Sequence, residues 1–179
     1  MTVKSKREII LDSAEIRMRT VGYNGFSTRE IANLVGIKAA SVHYHFPSKA
    51  DLGVAVTQRY CTRFFEALGE PSHSPAPIKH FATLFHNALI NDKKLCLCLI
   101  LGAETSSLPE TMNQETNHFF KHNLEWLEEA LISSQSLSEQ QAKEKAAVIL
   151  ASFEGALLLS NSLSNPALFD SITAYFTEQ

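Results

Sequence analysis

The side chains best equipped to meet another molecule lie close together in the sequence. Lys38, Ser41, His43, Tyr44 and His45 follow one another over a single short stretch. They offer an ammonium, hydroxyls and imidazoles, the donors, acceptors and positive charge that meet base edges and phosphates. Arg29 adds a planar fork that matches two acceptors on one guanine; at the start of a helix it can equally hold a phosphate. Other reactive types are placed less well. Cys96 and Cys98 are two residues apart, which on a helix sets them about 200° apart, so they are not a C-x-x-C redox pair. Either one alone is open to two readings, an oxidant or electrophile sensor or a buried structural thiol. His118 and His122 share a helical face, but two ligands without a third nearby do not make a metal site, and no cofactor is expected. No Ser-His-Asp arrangement, phosphate-cradling glycine loop or H-E-x-x-H is present to support an enzyme.

The residues from Arg29 to Phe46 must be held by two short helices meeting at a tight turn. Ser27 and Glu30 read as an S-x-x-E capping box opening the first of them, and Gly36 closes it. The second runs from about Ala39 to His45 and stops before Pro47. Ile31, Val35, Ile37, Val42 and Phe46 are the apolar positions expected to bury, which turns the polar set outward. Upstream, a helix from about Ser5 to Val21 carries Ile10, Ala14, Met18 and Val21 on one face and ends at Gly22. Downstream, Ser48 and Asp51 cap a long helix to about Leu68. The segment Gly69–Pro77 is the most loop-like part of the chain. Further helices are expected at about 78–91, 95–105, 109–134, 138–162 and 166–177, with Pro109 and Pro166 in first-turn positions. No alternating strand pattern competes, so the fold class is all-α.

The overall charge of −3 conceals an asymmetry. Residues 1–50 hold eight Lys/Arg against four Asp/Glu; the rest of the chain holds eight against fifteen. A basic head on an acidic body suits a protein presenting one end to a polyanion. Basic residues at the N-terminus are not followed by an apolar run of secretory length, and no stretch approaches the roughly 20 apolar residues of a membrane span. A cytoplasmic location without membrane contact, with Cys61, Cys96 and Cys98 as thiols, is the expectation.

Residues 22–32 (Gly-Tyr-Asn-Gly-Phe-Ser-Thr-Arg-Glu-Ile-Ala) and 35–52 (Val-Gly-Ile-Lys-Ala-Ala-Ser-Val-His-Tyr-His-Phe-Pro-Ser-Lys-Ala-Asp-Leu) resemble the tetracycline-repressor (TetR/AcrR) family of transcriptional regulators. The likeness spans about residues 7–60. It implies an all-helical homodimer, with a three-helix helix-turn-helix DNA-binding domain over residues 1–50. It implies a helical effector-binding and dimerisation domain over residues 51–179. It implies double-stranded DNA, a palindromic operator, as partner. Thr28 and Arg29 would approach it from the first helix of the motif; Lys38, Ser41, His43 and Tyr44 would lie on the recognition helix, and Lys49 would hold a phosphate. Tyr44 can instead pack the motif, Lys49 can be a solvated first-turn lysine, and His45 can be either a phosphate contact or a core histidine. His43 departs from the tyrosine common at its position, and Arg17 stands where the family usually has an apolar residue.

In the second block the resemblance implies an unknown small-molecule effector, with Phe81, Phe85, Cys98, Phe119 and Trp126 as candidate pocket residues, and plain core as the competing reading. Gly155 and Ala156, inside an apolar helix, permit close helix approach, which fits a dimer seam or an intramolecular contact. The stretch from Leu95 to Glu104 resembles one found in some members of the family, and a buried Glu104 would need a partner. The function expected is a repressor released from its operator by an effector. The alternatives are a regulator that senses oxidants or electrophiles through Cys96 or Cys98, and an enzyme or metal-binding protein retaining a vestigial motif.

Overall fold

The computed structural model describes residues 4–90 and 94–178. Among them there is no strand, and nine α-helices succeed one another: α1 (Lys6–Val21), α2 (Thr28–Val35), α3 (Ala39–His45), α4 (Lys49–Leu68), α5 (Pro77–Ile90), α6 (Leu97–Ala103), α7 (Glu110–Gln135), α8 (Glu139–Ser162) and α9 (Ala167–Thr177). Single 3-10 turns lie at Pro71–His73 and Thr105–Ser107. No helix of the described residues is long and apolar enough to cross a membrane.

The chain divides into two compact units. The first comprises the described residues through Thr62 together with Leu97–Asn117; the second comprises Arg63–Cys96 and the chain from His118 onward. The division therefore cuts within α4 and within α7, and returns α6 to the N-terminal unit. The functional boundary expected from the sequence, at residue 50, falls in the first turn of α4.

Local signals set the helix ends. The Ser5 hydroxyl accepts the Glu8 N–H at 3.2 Å to open α1. Gly22 ends it at φ +74°, and a Cβ there would also collide with the Glu104 carboxylate, so both backbone angle and space demand glycine. Ser27 accepts the Glu30 N–H at 3.1 Å. The reciprocal half of the expected capping box is replaced: the Glu30 carboxylate turns to Arg17 at 2.8 Å, tying α2 to α1. Gly36, at φ +73°, closes α2, and the Ile37 N–H reaches back to the Ala32 carbonyl at 2.9 Å. Ser48 and Asp51 cap α4 reciprocally, at 2.9 and 3.1 Å. Pro166 serves as the N-cap of α9, and Pro109 immediately precedes α7, each one step ahead of the expected first turn.

In the first unit Ile10, Leu11, Ala14, Met18, Phe26, Ile31, Val42, Phe46, Leu52 and Val56 form the core. Val21 does not join it. Although in register with Ile10, it stands at the last turn of α1, where its side chain lies over Gly25 and stays exposed. Val35 and Ile37 are only half-buried. In the second unit a run of aromatic rings is enclosed: Phe81 lies 5.0 Å from Phe85, 5.5 Å from Trp126 and 5.9 Å from Phe153, centroid to centroid. The Trp126 indole N–H donates to the Gly69 carbonyl at 2.6 Å, fixing the loop after α4.

Candidate nucleic-acid interface

Helix α3 is anchored by two side chains, Val42 and Phe46, both buried. What these anchors leave outward is polar. Tyr44 is 84% exposed, which removes it from the packing of the motif. Lys38, at the N-cap, and His43 are exposed, and Ser41 is half-buried. His45 is half-buried, its ring edge-on to Tyr44 at 5.2 Å. On α2, Arg29 is exposed and Thr28, its first residue, half-buried. The Arg17–Glu30 pair fixes that helix start against α1, which gives the unusual Arg17 a positioning role.

The His43 ring has a defined orientation. Its Nδ1 lies 3.2 Å from the Pro47 carbonyl. A carbonyl can only accept, so Nδ1 carries the hydrogen and the neutral ring keeps a lone pair on Nε2. His43 thus offers an acceptor, suited to an exocyclic amino group of adenine or cytosine.

Lys49 is placed differently from the other cations. Its ammonium rests 4.6 Å from the Tyr23 ring centroid and 4.8 Å from that of Phe26. This half-burial lowers its proton affinity, an effect opposed by the Glu104 charge. Glu104 is half-buried rather than buried, and it accepts the Tyr23 backbone N–H at 2.9 Å. Arg7, which the sequence reading passed over, lies across the Phe46 ring at 5.2 Å with its side chain half exposed. It adds a cation at the end of α3, and the signal for it was the Lys4-Ser-Lys6-Arg7 run.

Behind this surface a charged clamp joins α1 to α4. Arg59 meets Glu8 at 2.9 Å, Asp12 at 2.8 Å and Glu15 at 3.1 Å. Burial pushes the Asp12 carboxyl up, but Lys4 and Arg59 together pull it below the usual carboxylate range. The clamp ties α1 to the part of α4 that belongs to the first unit.

In the second unit, Phe81, Phe85, Phe119 and Trp126 are buried; Phe81 packs on Phe85 and Trp126, and Phe64 links this group to Phe119. Cys98 belongs to the first unit. His118 and His122 pack on Phe65, at 5.9 and 4.0 Å between centroids. Glu154, an acid inside an apolar run on α8, is a residue that its sequence position does not announce. Its carboxyl oxygens are enclosed without an N–H or O–H donor. Burial, and then the neighbouring Cys96 thiol, hold its pKa well above the carboxylate range.

Comparison with known proteins decides the family. Residues 10–56 match the profile of bacterial regulatory proteins of the tetR family, and residues 75–175 match the C-terminal domain of LmrA/YxaF-like transcriptional regulators. The chain belongs to the tetR family. The HTH-type transcriptional regulator LmrA of Bacillus subtilis is 28% identical over 92% of this chain and 91% of its own length. A TetR transcriptional regulator from Legionella pneumophila superposes with a TM-score of 0.89 at 29% identity, covering 98% of this chain and 97% of that one. A TetR-family regulator from Agrobacterium tumefaciens gives 0.82 at 26% identity over 97% and 96%. This tetR-family chain is therefore a DNA-binding transcriptional regulator and not an enzyme. Its α2–α3 pair is the helix-turn-helix.

Proposed function

We propose that this regulator is a homodimeric repressor that occupies a palindromic operator and leaves it when a small-molecule effector binds. The observation that carries the DNA half is α3, where Val42 and the C-cap Phe46 are buried while Lys38 at the N-cap, His43 and Tyr44 face out. Thr28, Arg29, Lys38, Ser41, His43 and Tyr44 supply the contacts. Lys49, with Arg7 beside α3, supplies phosphate attraction. The functional division follows: residues 1–50 read DNA, and residues 51–179 dimerise and receive the effector.

Support for a dimer comes from α8. Val148, Leu158 and Leu159 are 55, 47 and 48% exposed on one stripe of that helix, and Ala147 and Ala151 are exposed beside them. An added Cβ at Gly155, in the same stripe, meets no atom within 4 Å. No neighbour within the described chain requires glycine there, whereas close approach of a second α8 would. Effector binding in the second unit, around the cluster of Phe81, Phe85, Phe119 and Trp126, would favour a state whose two recognition helices no longer match the groove spacing. Affinity for DNA would then fall by the coupling free energy. The protein works in the cytoplasm, where its DNA is. Selection of operators from random DNA tests the reading; enrichment of no sequence would remove it.

A further inference from the structure

The sequence places Cys96 and Cys98 two residues apart, yet the structure separates their surroundings and brings a different pair together. Cys98, on α6, lies with its sulfur 4.0 Å from that of Cys61, on α4, thirty-seven positions earlier; both are in the first unit. The two are 0% and 3% exposed. Cys96, just before α6, faces Glu154 in the second unit. We propose that Cys61 and Cys98 form a redox pair that closes to a disulfide in the presence of a hydroperoxide, and that closure weakens operator binding. The second clause rests on the repressor reading above.

The chemistry balances with the peroxide as sole oxidant. The thiolate of Cys61, the less buried of the two, attacks one peroxide oxygen; the O–O bond breaks, a sulfenic acid forms and the other oxygen leaves as hydroxide, which takes up the Cys61 proton as water. The Cys98 sulfur then attacks the sulfenic sulfur. The S–O bond breaks, and the hydroxyl leaves with the Cys98 proton as a second water. Two sulfurs have together given up two electrons to one O–O bond. A disulfide spans about 2.05 Å, so the sulfurs draw together by about 2 Å and pull α6 toward α4.

That pull has somewhere to go. The segment after α6 grips the turn leading into α2: Glu104 accepts the Tyr23 N–H at 2.9 Å, and the Asn24 side-chain amide donates to the Ser107 hydroxyl at 2.8 Å. A displacement of α6 is thereby passed to residues 22–24, at the entrance to the helix-turn-helix.

The test uses the full-length protein, reduced and then exposed to two equivalents of hydrogen peroxide. Peptide mass spectrometry without reductant reads the linkage. Fluorescence anisotropy on selected operator DNA reads affinity before oxidation, after it, and after dithiothreitol. The expected result is a Cys61–Cys98 linked peptide and a loss of affinity of about tenfold, within the range usual for coupled sites, reversed by reductant. Cys96→Ala should behave as wild type; Cys61→Ala and Cys98→Ala should form no link and keep their affinity under peroxide. Should either alanine variant fail to fold, the linked peptide in wild type and in Cys96→Ala still decides. Absence of that peptide, or linkage to Cys96 instead, overturns the pair. Linkage with unchanged affinity overturns the regulatory clause. A reduced protein that selects no operator would instead count against the repressor reading, and the peptide readout stands apart from it.

Discussion

Single residues decide what this surface can read. His43 donates from Nδ1 to Pro47 and so presents an acceptor. His43→Ala is expected to cost about 1–3 kcal/mol on operator DNA and to relax one position per half-site, where adenine or cytosine amino groups are preferred. Competition binding against single-base operator variants measures this; uniform weakening at every position would make His43 a phosphate contact. Lys49→Ala should weaken binding to all sequences and reduce the slope of log affinity against log salt by about 1. An unchanged slope would leave Lys49 only its packing on Tyr23 and Phe26. The outward set on α3 was legible in the sequence because burial of Val42 on a seven-residue helix and of Phe46 at its C-cap fixes the remaining directions. The seat of Lys49 was not, because its two rings return to it only through the α1–α2 turn. Glu154 was missed for a related reason: one acid in an apolar helix reads as a solvated face until the neighbours enclose it.

At the scale of elements, the helix ends were legible because their signals are local. Ser5, Ser27, Gly36, Ser48 and Ser138 each act within four residues of themselves. The grouping of elements was not, since nothing in residues 97–117 announces that they pack with the N-terminal helices. A half-buried acid, Asp12, and a buried one, Glu154, give the two units opposite pH responses. Asp12, held below the usual range, contributes stability that is present above the carboxylate range and lost as pH falls through it. Glu154, held above that range, favours folding while protonated; its contribution is lost as pH rises through the raised pKa. Glu154→Gln keeps a neutral side chain of the same size. Its melting temperature should exceed that of wild type at pH 8 and approach it at pH 5. Equal differences at both pH values would show that Glu154 does not titrate between them.

For the whole molecule, the polarity of the chain was written in its charge. The basic first fifty residues contain the helix-turn-helix, and the acidic remainder builds the helical body. The stripe on α8 leads to a further expectation. Leu159→Asp puts a charge on an exposed side chain, so the fold should persist while light scattering reports a monomer and operator affinity falls by orders of magnitude through loss of the second half-site. A variant that stays dimeric would move the seam elsewhere. The most direct test of the central claim is selection from random double-stranded DNA by the reduced wild-type protein, followed by footprinting. The account predicts one enriched palindrome whose half-site centres lie about 34–36 Å apart, or a multiple of that, with both halves protected. Enrichment of a single asymmetric site, or of no sequence, would contradict it.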